Sequence, residues 1–278
     1  TGEKRVGSRF WGNAWLLLAL ANLFWAGNVI IGRAVSADIP PLTFTAFRWG
    51  GAFLVALPLA WPHLRRDLPV LLRRWPYMVM MGLAGYAIFN AMSYHGMHDT
   101  TALNALLMQS AMPLLVLLWM FALFGERPGP LQVVGVALSI AGVIAIATRG
   151  TPSALASLAL NSGDVWVLCG LVLYSLYSAQ LRRRPAVHPL SFLAVACGIA
   201  TLFLVPLALV EYAAGHRIGG GGGSALALLY TATLPSFVST LFFNRGVELV
   251  GPSLSGQSAH LIPLFGSVMA VALLGEQF

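Results

Sequence analysis

Nine apolar stretches dominate this chain, and their length limits its possible folds more than any other feature. They span residues 13–32, 41–61, 76–95, 101–124, 130–148, 163–181, 189–211, 225–244 and 252–274. Each is apolar on all sides over roughly the 20 residues that a helix needs to cross a bilayer. Only 9% of the residues are charged, against about a quarter in soluble domains. We therefore predict an all-α integral membrane protein that crosses the bilayer several times.

Two other classes of protein fit the sequence poorly. Strands of a membrane β-barrel alternate apolar and polar residues over about ten positions, and these stretches do not. The net charge is +7, but the basic residues punctuate apolar stretches and form no continuous patch for nucleic acid. We expect the lipid bilayer and a small-molecule substrate as partners, and no nucleic acid, cofactor or metal. The chain is expected to act as a monomer or a homodimer.

Basic residues are distributed unequally between the two sets of ends of these stretches. Three lie at one set of ends, and twelve lie at the other: Lys4, Arg5, Arg9, Arg65, Arg66, Arg73, Arg74, Arg127, Arg182, Arg183, Arg184 and Arg245. Connections rich in Lys and Arg remain on the cytoplasmic side of a membrane. This bias predicts a cytoplasmic N-terminus.

The two halves of the chain resemble each other. Pro113-Leu114 and Gly125-Glu126 recur 150 positions later. Nine residues of the second stretch recur 148 positions later: Pro41, Leu42, Phe44, Ala46, Gly50, Ala52, Leu54, Pro58 and Leu59. The nearly constant offset predicts a five-helix repeat over 1–150 and a second copy over 151–278. Because five is odd, the second copy is inverted in the membrane, as in many secondary transporters.

The repeat also predicts a helix that this sequence does not contain. After Gly125-Glu126 the first copy continues with the stretch 130–148, whereas after Gly275-Glu276 the sequence stops at Phe278. We therefore expect a ten-helix bundle with nine helices in this chain, the second repeat lacking its last one. The glycine-rich segment 219–224 is expected to be a flexible connector.

Several groups of residues form a pattern along the whole chain. They are Trp25-Ala-Gly-Asn28, Phe47-Arg48, Asn104…Pro113…Gly125-Glu126-Arg127, Gly135…Gly142 and Pro263…Gly275-Glu276. This pattern resembles the drug/metabolite transporter superfamily, specifically its EamA-type branch. The helices that carry Tyr and Trp are similar to those of bacterial aromatic amino-acid exporters of the YddG type. The resemblance implies a ten-helix exporter with a central cavity in the bacterial cytoplasmic (inner) membrane.

Polar and aromatic side chains at membrane depth are the candidate substrate-binding residues. Such polar groups are costly in lipid unless a partner or a water-filled cavity satisfies them. Tyr86, Asn90 and Tyr94 are four residues apart and so share one helix face, although hydrogen bonds between helices would explain them equally well. The full set is Trp25, Asn28, Arg48, Tyr86, Asn90, Tyr94, Gln109, Tyr174, Tyr177, Gln257 and His260.

Two of these candidates are ionisable, and each has two interpretations. Arg48 could bind a substrate carboxylate bidentately, or its long side chain could extend to the membrane interface. His260 could accept a proton during coupled transport, or it could be hydrogen-bonded within the bundle. No carboxylate is apparent at membrane depth, so the sequence does not support a carboxylate-based proton or sodium site.

These observations favour a transporter over an enzyme or a scaffold. An intramembrane enzyme needs a nucleophile with a base, or a metal cluster, and the sequence suggests neither. A non-transporting scaffold has no evident use for an inverted repeat. We therefore predict alternating-access export of small amphipathic metabolites, in particular amino acids including aromatic ones. Export of other metabolites or drugs, such as sugars or purines, is the alternative on the same fold.

Overall fold

The computed structural model of the chain describes residues 10–100, 108–147, 161–219, 222–269 and 271–272. Within these ranges the chain is helical and contains no β-strand. Five of the described helices are long and apolar enough to cross a membrane. The predicted fold class, an all-α integral membrane protein, is confirmed. Asn104 and Gly275-Glu276, which belong to the motifs above, lie outside the described residues.

The described helices are numbered α1 to α9 in chain order, and three of them change helix type along their length. They are α1 (Ala14–Ala34), α2 (Pro41–Arg73), α3 (Trp75–Gly82, Leu83–Ala87 and Ile88–Gly96), α4 (Met112–Phe124), α5 (Pro130–Ala147), α6 (Ser162–Gln180), α7 (Pro189–Ala213), α8 (Gly222–Thr231, Ala232–Val238 and Ser239–Val250) and α9 (Pro252–Gln257, Ser258–His260 and Leu261–Met269). Proline occupies one of the first two positions of α2, α3, α4, α7 and α9. There its missing N–H costs no helical hydrogen bond, so these prolines explain where the helices begin.

Helix α2 is longer than the sequence predicted. The predicted segment ended at residue 61, before Pro62, but the helix continues to Arg73. The extension is amphipathic, because Asp67 and Leu71 are buried while Arg65 and Arg66 are exposed. Packing of the buried face therefore outweighs the hydrogen bond that an internal proline removes.

The predicted flexible connector 219–224 was wrong for its last three residues. Helix α8 begins at Gly222, so Gly222 to Ser224 form its first turn. Two hydrogen bonds connect this turn to the segment before α2. The Ser224 hydroxyl donates to the Gly219 carbonyl at 3.2 Å, and the Gly219 N–H donates to the Asp38 carbonyl at 2.7 Å. These hydrogen bonds offset the flexibility that the glycines provide.

Helices α2 and α7 pack against each other in opposite directions. The N–H groups of Leu42 and Thr43, at the start of α2, donate to the Glu211 carboxylate near the end of α7 at 3.2 and 2.7 Å. The His188 N–H, just before α7, donates to the Asp67 carboxylate of α2 at 2.9 Å. Each carboxylate thus satisfies N–H groups at the start of the other helix, where a negative charge is favourable.

The helices before residue 150 pack mainly against those after it. Helix α2 packs on α7, α3 on α6, α1 on α8 and α9, and α4 on α6 and α9. Helix α5 lies at the periphery, where Leu131 and Leu138 are exposed. The centre of the molecule is consequently an interface between the two halves.

Helices α3 and α8 each contain a π-helical segment, Leu83–Ala87 and Ala232–Val238. In α8 the segment contains Pro235, which has no N–H to donate to the Thr231 carbonyl. The Ser236 hydroxyl donates to that carbonyl at 2.6 Å. In α3, Gly85 lies directly against the Tyr177 ring, since an added Cβ would be 2.4 Å from it. Such segments are frequent at functional sites.

Candidate functional site

A small cavity lies at the centre of the interface between the two halves. Its volume is about 40 Å³, which is enough for a few water molecules but not for an amino acid. Seven of the eleven candidate residues line this central cavity: Trp25, Asn28, Arg48, Asn90, Tyr94, Gln109 and Tyr174. They come from α1, α2, α3 and α6 and from the segment before α4. The structure therefore brings together most of the side chains that the sequence singled out.

The other four candidates do not line the central cavity. Tyr86 and Tyr177 are fully buried beside it. Gln257 ends the first part of α9, and its side-chain nitrogen is buried without a hydrogen-bond partner. His260 lies in the 3-10 turn of α9 and is partly buried.

The central cavity also contains residues that sequence reasoning missed. The aromatic members are Trp49 and Phe89, and Thr240 of α8 provides a hydroxyl. Trp49 directly follows Arg48, but neighbouring residues on a helix normally point in different directions, so its position gave no signal. Thr240 lies five residues after Pro235. A proline inside a predicted membrane helix indicates a local change in the helix, and this was the signal in the sequence that pointed to α8.

Arg48 is buried in the protein and does not extend to the membrane interface. Its side chain is 3% exposed. Nε donates to the Ser236 hydroxyl at 2.6 Å, and Nη1 donates to Asn90 Oδ1 at 2.7 Å and to the Tyr94 hydroxyl at 2.5 Å. The guanidinium carbon also lies 5.1 Å from the centre of the Trp49 ring, within the range of a cation–π interaction. Of the two interpretations of Arg48, the structure removes the interfacial one.

A hydrogen-bond chain continues from Arg48 across the cavity. The Tyr94 hydroxyl accepts from Arg48 and donates to Asn28 Oδ1 at 2.9 Å. The Asn90 amide donates to the Tyr86 carbonyl at 2.7 Å, which fixes its oxygen towards Arg48. Three helices, α1, α2 and α3, thus hold one polar network whose members orient one another.

Aromatic rings form another wall of the cavity. Trp25 contacts Tyr174 edge-on with 5.7 Å between ring centres, and Phe89 contacts Tyr174 at 4.7 Å. The Trp25 indole N–H donates to the Pro235 carbonyl at 3.0 Å, so that π-helical segment positions the ring. The Tyr174 hydroxyl is buried without a hydrogen-bond partner and belongs to a residue that lines the cavity. This wall offers apolar surface with one free hydroxyl.

Three side chains form a hydrogen-bonded group beside the cavity, and we call them the tyrosine plug: Tyr86, Tyr177 and Asn244. The hydroxyls of Tyr86 and Tyr177 are 3.0 Å apart, and the Tyr177 hydroxyl donates to Asn244 Oδ1 at 2.6 Å. Tyr177 also contacts the ring of Tyr174, with 5.4 Å between ring centres. The plug therefore joins α3, α6 and α8 directly beside the central cavity.

A larger cavity, which we call the vestibule, adjoins the plug at Asn244. Its volume is about 730 Å³, and Asn244 belongs to its wall together with charged residues. Glu126 pairs with Arg182, and Glu248 pairs with Arg184 at 3.2 Å and with Arg245 at 3.0 Å. We call this side the Arg-rich end. Its ion pairs link the end of α4, the turn after α6 and the end of α8.

Comparison with known proteins identifies the family. The model of the EamA-like transporter family matches residues 12–148 and 161–278. A transporter of Archaeoglobus fulgidus is 28% identical over 94% of this chain and 89% of its own length, and a protein of Pseudomonas aeruginosa is 31% identical over 94% and 86%. The transporter YyaM of Bacillus subtilis is 23% identical over 94% and 86%.

A solved crystal structure has the same fold. It superposes with a TM-score of 0.74 at 20% identity and covers 95% of this chain and 89% of that chain. Together with the family match over both halves, this agrees with the arrangement of apolar helices described above. The chain belongs to the EamA-like transporter family and is a membrane transporter, not an enzyme.

Proposed function

We propose that this transporter exports small amphipathic metabolites, in particular amino acids including aromatic ones, by alternating access. The observation that carries the proposal is the central cavity, where one wall is aromatic and the other is a polar network around Arg48. Rings such as Trp25 and Tyr174 would contact an apolar side chain. Amide and guanidinium groups would orient the polar end of the same molecule. The combination of an aromatic wall and a polar network also supports the resemblance to aromatic amino-acid exporters of the YddG type.

Alternating access requires two halves that can move against each other. We propose that residues 1–150 and 151–278 are inverted repeats, which many secondary transporters use for this movement. Three observations support this. The same family model matches both halves, Pro41 and Pro189 begin antiparallel helices, and Ala232 begins a π-helical segment 149 residues after Leu83 does.

The dimensions of the cavities support a closed state in this structure. We propose that the tyrosine plug separates the central cavity of about 40 Å³ from the vestibule of about 730 Å³. Movement of α3, α6 and α8 apart would join the two spaces and admit a substrate. We propose that the Arg-rich end faces the cytoplasm of a bacterial cell, with the N-terminus on the same side. The vestibule would then receive substrates for export.

Efflux from proteoliposomes tests this function. Vesicles that contain the purified protein and labelled phenylalanine should lose label faster than protein-free vesicles. Trp25→Ala should slow efflux by about fivefold, because one aromatic contact is worth roughly 1 kcal/mol. Trp61→Ala is the matched control, since Trp61 is 51% exposed, and it should leave efflux unchanged. No efflux of phenylalanine, with efflux of a sugar or a purine instead, would refute the proposed substrate class.

A further inference from the structure

Arg48 gives the central cavity a positive charge that no described residue compensates. It is the one charged side chain among the described residues that line the cavity. Its three hydrogen-bond partners, Ser236, Asn90 and Tyr94, are all neutral. The ion pairs within the described part of the chain involve Arg182, Arg184 and Arg245 but not Arg48. A buried charge is costly unless a counter-ion reaches it.

Several donor groups of the residues that line the cavity have no described partner. They include the Trp49 indole N–H and the hydroxyls of Ser93 and Tyr174, and one group each of Arg48 and Asn28. Nη1 and Nε of Arg48 bind neighbouring side chains, but Nη2 donates to no described residue. Asn28 accepts from Tyr94 through Oδ1, while its Nδ2 group has no described acceptor. Both residues line the central cavity. Guanidinium and amide N–H groups that converge on one space are the usual ligands of a carboxylate.

The same cavity has little to offer a second positive charge. No acidic residue is among the described residues that line it. The Tyr174 hydroxyl is free to accept a hydrogen bond, but it is neutral. An ammonium group would also share a small space of low polarity with the Arg48 guanidinium, where like charges repel strongly.

We infer that the central cavity selects its substrate by a single carboxylate, which binds Arg48 and Asn28, and that an amino group is not required. An aromatic monocarboxylate therefore binds at least as tightly as the corresponding zwitterionic amino acid. An aromatic amine without a carboxylate binds much more weakly. This inference rests on the proposed function for the location of the site, but it names the group that the site recognises.

Three compounds that share a phenyl ring and a short chain test the inference: 3-phenylpropionate, phenylalanine and phenethylamine. A ligand that binds the folded protein raises its unfolding temperature with concentration, which gives an affinity. For the intact chain in detergent we expect 3-phenylpropionate to bind at least as tightly as phenylalanine. Phenethylamine should bind about 10- to 100-fold more weakly than either, the factor for one charge-assisted contact. Equal affinities for the acid and the amine would overturn the inference.

Variants of Arg48 test which residue makes the distinction. Arg48→Gln should remove the preference for the acid over the amine, whereas Arg65→Gln should keep it. Arg65 is the matched control because it is exposed and lies over the ring of Trp61. A preference that persists in Arg48→Gln would overturn the inference. If Arg48→Gln does not fold, the three affinities of the unaltered protein still decide.

The two proposals fail in different ways. If 3-phenylpropionate binds through Arg48 but phenylalanine does not leave proteoliposomes, the proposed function is wrong and the carboxylate site stands. If phenylalanine leaves the vesicles but the amine binds as tightly as the acid, the transport function stands and the carboxylate site is wrong.

Discussion

Replacing Tyr177 by phenylalanine should open the Arg-rich end of the transporter. The Tyr177 hydroxyl makes two contacts in the tyrosine plug, one with Tyr86 at 3.0 Å and one with Asn244 at 2.6 Å. The ring itself would stay packed, because phenylalanine has the same shape. The change therefore removes hydrogen bonds from the closed state without creating a large cavity.

The size of the effect follows from those two contacts. A buried hydrogen bond contributes about 0.5–1.5 kcal/mol net, so two contribute about 1–3 kcal/mol. In the open state water would satisfy Tyr86 and Asn244, so the loss falls on the closed state. The ratio of open to closed molecules should rise by about 5- to 150-fold. Asn244→Ala removes one of the two contacts and should give a smaller rise.

Labelling of a single cysteine measures this ratio. In a chain with Cys169 and Cys197 replaced, Thr240→Cys places a thiol in the wall of the central cavity, where Thr240 is 2% exposed. A maleimide that cannot cross lipid should react faster in Tyr177→Phe, but only in vesicles that expose the Arg-rich end. A second chain with Arg66→Cys, at an exposed position of α2, identifies those vesicles.

A control variant and a clear negative result complete the test. Tyr212→Phe is the control, because Tyr212 is 52% exposed and lies outside the plug. Its labelling rate should equal that of the parent chain. An unchanged rate in Tyr177→Phe, or a faster rate only from the opposite end, would show that the plug does not hold the Arg-rich end closed.

Two further predictions concern stability and can be checked by thermal unfolding in detergent. Gly85→Ala should destabilise the protein by about 1–3 kcal/mol, because the new methyl group would lie 2.4 Å from the Tyr177 ring. Gly135→Ala is the control and should not destabilise the protein, since Gly135 has open space around it. Equal unfolding temperatures for the two variants would contradict this prediction. The pKa of His188 is lowered by burial and by the nearby His63 and Arg184, against the opposing effect of Asp67. As the pH drops below about 6.5, His188 therefore takes up a proton more readily in the unfolded chain than in the folded one. The stability of the folded protein should fall in this pH range. His188 Nδ1 accepts from the Leu190 N–H at 3.3 Å; His188→Asn keeps a capping oxygen and should reduce this pH dependence, and an unchanged dependence would exclude His188 as its source.

The sequence predicted the helices well because each membrane-spanning segment is defined locally. Length and hydropathy are sufficient to recognise a spanning helix, and proline at the first turns marks where α2 and α7 begin. The errors occurred where tertiary contacts override local signals. Pro62 does not end α2, since Leu71 and Asp67 beyond it are buried by the rest of the protein. No local pattern contains that information.

Most residues of the candidate site could be predicted from the sequence, but most of the hydrogen bonds that join them across the two halves could not. Seven candidates line the central cavity, because polar groups at membrane depth need a cavity or a partner. One of the three partners of Arg48, Ser236, was not predictable, because it lies 188 residues away. The plug was not predictable either: Tyr86 and Tyr177 were grouped with the cavity, whereas their hydroxyls bind each other. Pairing across the two halves is a property of the fold.

The π-helical segment of α8 contacts both walls of the central cavity. Its Pro235 carbonyl holds the indole of Trp25, and the next residue, Ser236, holds the guanidinium of Arg48. A substrate that contacts both walls would therefore exert its effect on α8 through adjacent residues. Ser239, which follows the segment directly, begins the part of α8 that carries Thr240 in the cavity wall and Asn244 in the plug. A shift of this segment would thus change substrate contacts and plug contacts together, which is the coupling that alternating access requires.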